Sequence, residues 1–331
     1  MKNKQKKIGI VGLGCYVPKK VLTNKDLEGM VDTSDEWITT RTGIKERRIA
    51  ANNESTSTLA ANAAHEALKN AKMKPEDLDL VIVATITPDM PFPATSCLVQ
   101  DQLKAKNAAC FDVSAACAGF VYGLVMAQQF LANGVYKNAL VIGSEKLSCV
   151  TDWKDRNTCV LFGDGAGAAV LAPVEDGGIL GSYLGSNGSL SDLLMIPAGG
   201  SKRPASKETV DNREHFIKMK GNEVFKLAVK IMSDAACNAL KQCELTVDDI
   251  DCFIPHQANM RILDAVARKM HLPLDKIYFN VANYGNMSSA STAVALCEAY
   301  NAGRIKPGDV VVLDAFGAGL VWGSCVIQWQ K

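Results

Sequence analysis

The sequence predicts an α/β fold built from two copies of one unit, and two observations support this. A self-comparison at an offset of 172 residues places Ala63–Ile82 on Ala235–Ile254 with eight identical pairs, and an offset of 169 places Cys117–Gly134 on Asn286–Gly303. Apolar strands also alternate with helices along the chain, as in sheets that are covered by helices. Two collinear repeats predict a duplicated αβ unit.

Each copy contains the same elements in the same order. It starts with a helix whose apolar residues recur at i, i+3, i+4, and a short polar link then leads to an apolar strand. That strand is Leu80–Ile86 in the first copy and Cys252–Ile254 in the second.

A helix of small residues follows in each copy and ends at a glycine, the usual helix stop. The next strands are Ala139–Gly143 and Val310–Leu313, and the copies meet near Pro173–Gly178. We therefore expect an N-terminal half over 1–175 and a C-terminal half over 176–331.

Composition excludes several classes of protein. With 331 residues, 48% of them hydrophobic, the chain can bury a large core, and a net charge of +1 argues against nucleic acid as a partner. No stretch reaches the ~18 apolar residues of a membrane span. The first apolar run, Ile8–Val17, is interrupted by glycines and lacks a signal-peptide cleavage site, so it predicts a strand.

The 11 cysteines show neither C-x-x-C nor zinc-ligand spacing. We therefore expect free thiols in a reducing cytoplasm, mostly small core residues, with no bound metal and no cofactor.

Cys117 differs from the other cysteines in its setting. The repeat aligns it with Asn286, each at the predicted start of a helix. Unpaired amides and the positive end of a helix dipole stabilise a thiolate, and the small neighbours in Ser114–Gly119 leave room for a substrate. Cys117 is the predicted nucleophile.

His256 follows the strand Cys252–Ile254 and Pro255, at the strand end where ligands bind in α/β sheets. Cys117, His256 and Asn286 could then perform either of two reactions. In papain-like hydrolysis the histidine deprotonates the thiol. In decarboxylative condensation a neutral histidine and an asparagine donate hydrogen bonds to a developing enolate. Spacing does not choose between them.

Glycine-rich stretches occur in several places. Gly9–Gly14 and Gly163–Ala168 lack the order of a dinucleotide fingerprint and predict tight turns. Phe316–Leu320 follows a strand and could supply backbone amides to an oxyanion hole near Cys117. The weakly periodic segment Ser186–Arg213 predicts a surface loop or lid at the entrance to a site.

Specific motifs also resemble the β-ketoacyl-acyl-carrier-protein synthase III family. They are Asp112–Phe120, Pro255–Asn259 and Tyr284–Asn286, supported by Asp35–Ile38, Arg41–Ile44, Gly163–Ala168, Gly221–Lys226 and Trp322–Gly323. The likeness covers essentially the whole chain. It implies a thiolase-like fold of duplicated halves in five αβαβα layers, normally a homodimer.

The resemblance implies a ping-pong Claisen condensation. An acyl-CoA primer, typically acetyl-CoA, acylates Cys117; malonyl-acyl carrier protein then loses CO2 with help from His256 and Asn286, and its carbanion attacks the acyl group. Backbone amides of Cys117 and Ala318 would form the oxyanion hole. Many relatives have glycine at the latter position, so Ala318 would be strained if it required positive φ.

By the same resemblance, other positions contact substrates and partners. The expected contacts to CoA and its pantetheine are Trp37, Arg41, Arg156, Asn222, Asn259 and Phe316. Phe92 would enter the partner subunit's acyl pocket. The expected docking face for the acidic acyl carrier protein comprises Lys226, Arg261, Arg268 and Lys269.

Alternatives remain open. A specialised condensing enzyme could use CoA-bound, long or branched substrates, as in alkylquinolone or polyketide-starter synthesis. HMG-CoA synthase is disfavoured because no extra catalytic glutamate is evident, and the elongating synthases use a second histidine where this chain has Asn286. A cysteine thioester hydrolase and a non-enzymatic scaffold are the alternatives of a different class.

Overall fold

The computed structural model describes residues 6–330, so the lysine-containing start of the chain, 1–5, lies outside the described residues. The strands are β1 Ile8–Tyr16, β2 Lys20–Thr23, β3 Glu46–Ile49, β4 Leu80–Ala84, β5 Ala109–Val113, β6 Ala139–Lys146, β7 Asp164–Pro173, β8 Gly178–Ser186, β9 Leu194–Met195, β10 Lys218–Met219, β11 Cys252–Pro255, β12 Val310–Gly317 and β13 Val321–Gln328. The helices are α1 Asn24–Glu28, α2 Asp35–Thr42, α3 Thr56–Ala71, α4 Thr95–Leu103, α5 Gly119–Ala132, α6 Arg156–Cys159, α7 Lys207–Asp211, α8 Gly221–Gln242, α9 Met260–Met270, α10 Val281–Tyr284 and α11 Ser289–Asn301.

Two mixed sheets have matching topology. The first runs β1-β7-β6-β4-β5 and the second runs β8-β13-β12-β11. In both, the first three strands pair antiparallel, and the next pair, β6 with β4 or β12 with β11, is parallel. The duplication predicted from the two sequence offsets is confirmed by this shared strand order.

Packing places the sheets and helices in five layers. The apolar sides of α5 and α11 fill the space between the two sheets. The outer face of the first sheet is covered by α3 and α4, and that of the second by α8 and α9. The predicted αβαβα arrangement is therefore observed. The strands of the first sheet end at or before Pro173 and those of the second begin at or after Gly178, but the domain boundary at residue 175 stays a prediction.

The strand predicted over Ile8–Val17 is confirmed by β1, but the glycine-rich stretches are not the tight turns predicted from their glycines. Gly9, Gly12 and Gly14 lie inside β1, and Gly165 and Gly167 lie inside β7. A Cβ on Gly14 would stand 2.3 Å from the Ala63 carbonyl oxygen of α3. Gly12 and Gly14 allow α3, and Gly167 allows α11, to approach the sheet closely, a packing requirement that no local pattern reveals.

Replacing Gly14 with alanine should therefore lower the free energy of unfolding by about 1–3 kcal/mol, because helix backbone must move to admit the methyl group. Urea denaturation would measure the change. Gly188→Ala is the matched control, since nothing lies within 4 Å of a Cβ there. Equal stability of both variants would contradict the close-approach explanation.

Two further predictions need adjustment. The strand predicted over Leu80–Ile86 ends at Ala84, where the chain leaves the sheet. The predicted loop 186–213 contains a 3-10 segment, the short strand β9 and α7, so it is partly ordered. Among residues 6–330 there is no helix with the length and apolar content that crossing a bilayer requires.

Candidate active site

Cys117 lies on a tight turn between β5 and α5. It occupies a 3-10 turn, Ala116–Ala118, two residues before the first residue of α5 rather than on the helix as predicted. Ala116 has φ of 44°, a left-handed conformation that non-glycine residues seldom adopt. A Cβ on Gly317 at the end of β12 would stand 2.6 Å from the Cys117 amide nitrogen, so the two sheets meet at this turn.

Burial governs the ionisation of this thiol. Cys117 is 8% exposed, and desolvation raises its pKa to about 12, with a contact from Ser288 acting in the opposite direction and the Glu145 carboxylate adding to the rise. The predicted lowering of the pKa by a helix N-terminus is therefore wrong for the free chain. Because the thiol form is favoured, proton loss must accompany its attack on a substrate.

His256 follows β11 and is held by its backbone. Its amide nitrogen donates to the Asp314 carbonyl oxygen of β12 at 2.7 Å. The ring is 2% exposed, its Nδ1 has no hydrogen-bond partner within residues 6–330, and burial lowers the pKa to about 3. A neutral ring carries one N–H, so it can donate one hydrogen bond without carrying charge.

Asn286 is buried, and both its backbone N–H and its backbone carbonyl are hydrogen-bonded. Its amide nitrogen donates to the Leu161 carbonyl at 2.8 Å, and its carbonyl accepts from the Gly163 amide at 3.0 Å. Its side-chain Oδ1 accepts from the Ser288 amide at 2.8 Å. The side-chain NH2 group is then left to donate to another molecule.

One cavity of about 630 Å³ brings most of the predicted site together. Its lining includes the predicted residues Trp37, Arg41, Cys117, Asn222, His256, Asn259, Arg261, Asn286, Phe316 and Ala318. Arg261, predicted as a docking residue, thus also faces the cavity. Ala318 does not have positive φ, so alanine fits there without the strain considered above.

The predicted residues outside the cavity lining are Phe92, Arg156, Lys226, Arg268 and Lys269. Arg156 nevertheless reaches the cavity rim through Trp37, since its guanidinium lies 4.9 Å from that ring's centroid, and Arg41 lies 4.5 Å from it. Arg156 also donates to the Asp32 carbonyl at 2.6 Å. An aromatic ring close to two guanidinium groups suits the binding of a planar ligand that carries negative charge.

The segment predicted as a lid forms part of the cavity wall. Leu194, Met195 and Ile196 line it, together with Ile217 and with Met219 of β10, the strand that pairs with β9. Arg213 and Lys218 form ion pairs with the buried Asp152, and the Arg213 contact holds the pKa of Asp152 down at about 2. The wall is therefore tied to the first half of the chain.

Sequence reasoning missed Glu145 and Ser288. The Glu145 carboxylate is fully buried beneath the site and accepts from the hydroxyls of Thr87 at 2.7 Å and Ser289 at 3.0 Å. Burial raises its pKa. Ser288 has φ of 47°, and its buried hydroxyl faces the Cys117 thiol and the Glu145 carboxylate without a hydrogen bond of ordinary geometry. The available signal for Glu145 was a carboxylate shortly after the apolar stretch Ala139–Gly143 of β6; Ser288 had none.

The low pKa of His256 leads to a testable prediction about the charge of its ring at different pH values. We expect no protonation of its ring between about pH 5 and 8, since the depressed pKa keeps the imidazole neutral until far lower pH. NMR of histidine-labelled protein, with the His256 signal assigned by its loss in His256→Asn, would measure this. A His256 titration midpoint near the ordinary value of about 6.5 would contradict the buried, neutral ring.

Comparison with known proteins identifies the class to which this fold and site belong. Two sequence profiles match: 3-oxoacyl-[acyl-carrier-protein (ACP)] synthase III over residues 111–188, and the C-terminal part of the same family over 240–329. The beta-ketoacyl-[acyl-carrier-protein] synthase III of Caldanaerobacter subterraneus subsp. tengcongensis is 60% identical over 98% of each chain.

Solved structures agree. The 3-oxoacyl-[acyl-carrier-protein] synthase III of Aquifex aeolicus VF5 superposes with a TM-score of 0.91 at 49% identity, covering 97% of this chain and 100% of that one. The priming β-ketosynthase of the R1128 polyketide pathway superposes at 0.92 with 34% identity, covering 100% and 98%. These are condensing enzymes of the thiolase-like fold. The chain belongs to the β-ketoacyl-acyl-carrier-protein synthase III family, as the motifs predicted, and is an acyltransferase.

Proposed function

We propose that this chain condenses an acyl-CoA primer, typically acetyl-CoA, with malonyl-acyl carrier protein and so initiates fatty-acid synthesis. The observation that carries the proposal is the meeting of Cys117, a neutral His256 and Asn286 on one cavity. A histidine with a pKa of about 3 is a poor base for a thiol but a suitable donor to an enolate oxygen, which favours condensation over papain-like hydrolysis.

In the first half-reaction the Cys117 sulfur attacks the primer's thioester carbonyl. The carbon–sulfur bond to CoA breaks, a thioester to Cys117 forms, and CoA leaves with the proton lost by the thiol. Backbone amides of Cys117 and Ala318 would bind the oxyanion of the tetrahedral intermediate.

In the second half-reaction the malonyl carboxylate leaves as CO2. The resulting enolate oxygen accepts hydrogen bonds from the His256 ring and the Asn286 side-chain NH2 group. The enolate carbon attacks the acyl carbonyl on Cys117, and the sulfur is released and reprotonated. The product is β-ketoacyl-acyl carrier protein.

CoA binding is assigned to the rim of the cavity. Trp37 with Arg41 and Arg156 would hold adenine and phosphates, and Asn222, Asn259 and Phe316 would line the path of the pantetheine arm. The support is the position of the Arg41 and Arg156 guanidinium groups, 4.5 and 4.9 Å from the centroid of the Trp37 ring.

Trp37→Ala should raise the KM for acetyl-CoA by roughly tenfold, because stacking of a base on an aromatic ring is worth about 1–3 kcal/mol. Steady-state kinetics of the first half-reaction would measure it. Acetyl-N-acetylcysteamine, which lacks the nucleotide, is the matched control and should be used equally well by both proteins. An equal loss with both thioesters would contradict nucleotide stacking.

Association with partners follows from two surfaces. The Phe92 side chain is 84% exposed, and β5 is an edge strand with one free side, features that support a homodimer in which Phe92 enters the partner's acyl pocket. Lys226, Arg261, Arg268 and Lys269 lie on α8 and α9, which pack together, and would receive the acidic carrier protein in the cytoplasm. Lys269 is partly engaged by Asp234 at 3.5 Å.

The proposed function is tested with isotopically labelled malonyl-acyl carrier protein and a panel of acyl-CoA thioesters, following CO2 and products by mass spectrometry. Labelled β-ketoacyl-carrier protein is the expected product. Release of free acid and CoA without a new carbon–carbon bond would overturn the proposal in favour of hydrolysis. Preference for malonyl-CoA or long primers would instead support the specialised condensing enzyme, to which the R1128 priming ketosynthase is related.

A further inference from the structure

Away from the active-site cavity, three potential metal ligands converge from distant parts of the chain. Cys15 lies near the end of β1, Glu66 on α3 and Cys297 on α11. Their two Sγ atoms and a carboxylate oxygen all lie within 4.8 Å of one another. Neither sulfur is in a disulfide.

The cluster is held by its surroundings. The Cys15 amide donates to a Glu66 carboxylate oxygen at 2.7 Å, which orients that side chain towards β1. A carboxylate has two oxygens, so this bond leaves the other available to a cation. Among residues 6–330, no lysine or arginine forms an ion pair with Glu66.

We propose that Cys15, Glu66 and Cys297 form a site for a thiophilic divalent cation of the zinc class. Two thiolates and one carboxylate suit such an ion, whose bonds to sulfur are about 2.3 Å and to oxygen about 2.0–2.2 Å. Tetrahedral ligands at those lengths stand roughly 3.5–3.9 Å apart, within the spread of the cluster. Water would complete the four ligands, because Cys15 and Glu66 are partly exposed.

Binding would displace the proton of each thiol, so that two protons are released for each cation bound. The Glu66 carboxylate would bind in its ionised form and release no proton. Because each thiol must lose its proton to bind, affinity should fall as pH falls. The bound ion would link β1 and α3 of the first sheet's layers to the central helix α11. Its role would be structural, and the site does not depend on the condensation chemistry proposed above.

Co(II) titration of the reduced, metal-free full chain tests the site. One equivalent of Co(II) should produce a thiolate-to-metal charge-transfer absorption that Zn(II) abolishes. Cys297→Ser and Cys15→Ser should remove that absorption, and Glu66→Gln should weaken binding by about tenfold or more. Cys97→Ser, at an exposed cysteine elsewhere, is the matched control and should leave it unchanged.

Circular dichroism melting of each variant would exclude misfolding, and Cys15→Ser is the decisive variant because its side chain is only partly buried. Absence of the charge-transfer absorption in the wild-type chain, or its persistence in folded Cys15→Ser, would overturn the proposal. Formation of a Cys15–Cys297 disulfide with hydrogen peroxide, without Co(II) binding to the reduced chain, would also overturn it and identify a redox pair instead.

Discussion

Replacing Cys117 with alanine should abolish both acylation and condensation, a loss of at least about 10³-fold, since removal of a covalent nucleophile eliminates the intermediate. Intact-protein mass spectrometry should show the acyl adduct on the wild-type chain incubated with acetyl-CoA and none on the variant. Folding should be little affected, because a small side chain replaces a small one in a turn held by Gly317 and α5.

The matched control for this experiment is Cys149→Ala, since Cys149 is an exposed thiol that lies outside the cavity lining. Acylation of Cys149 rather than Cys117, identified by peptide mapping, would refute the nucleophile assignment. Residual product formation by Cys117→Ala near the wild-type rate would refute it as well.

Replacing His256 or Asn286 with alanine should separate the two half-reactions. Both variants should still acylate Cys117, because neither side chain is assigned to the attack on the primer. Decarboxylation should fall by about 10²–10³-fold in each, the usual cost of removing one donor to a developing oxyanion. Radiolabelled CO2 release and acyl-adduct mass, measured on the same sample, would give the two rates independently.

The control variants for these two are His65→Ala and Asn62→Ala, both at exposed positions of α3. A His256 variant that fails to acylate Cys117 would show that the ring acts as a base for the thiol, contrary to its low pKa. A variant that condenses at the wild-type rate would remove that residue from the mechanism. Loss of both activities together in the control variants would indicate a folding defect.

Much of the fold and part of the site were predictable because the two halves of the sequence resemble each other and can be aligned. The offset of 169 aligns Cys117 with Asn286, and the structure places both just ahead of the central helices α5 and α11. Apolar strands and amphipathic helices could be predicted because the spacing of apolar residues within each short segment indicates the element that it forms. Glycines such as Gly14 were misread as turns because their reason lies in a helix 49 or more residues away, with a contact to Ala63.

Ionisation was the point at which sequence reasoning failed. A helix N-terminus predicted a lowered thiol pKa, whereas burial of Cys117 raises it to about 12. The low pKa of His256 and the buried carboxylate of Glu145 likewise depend on how completely neighbouring elements exclude water. Desolvation depends on the packing of the whole molecule, so it cannot be predicted from any short segment of the sequence.

The sequence by itself determined the duplicated α/β architecture and the family, and it singled out the Cys117 sulfur as the predicted nucleophile, since each is encoded in repeats or contiguous motifs. Only the tertiary structure decided the protonation of that sulfur and of His256, and the meeting of Cys15, Glu66 and Cys297. Those three residues are separated by 51 and 231 positions, so no spacing rule could connect them. Packing of β1, α3 and α11 brings them together.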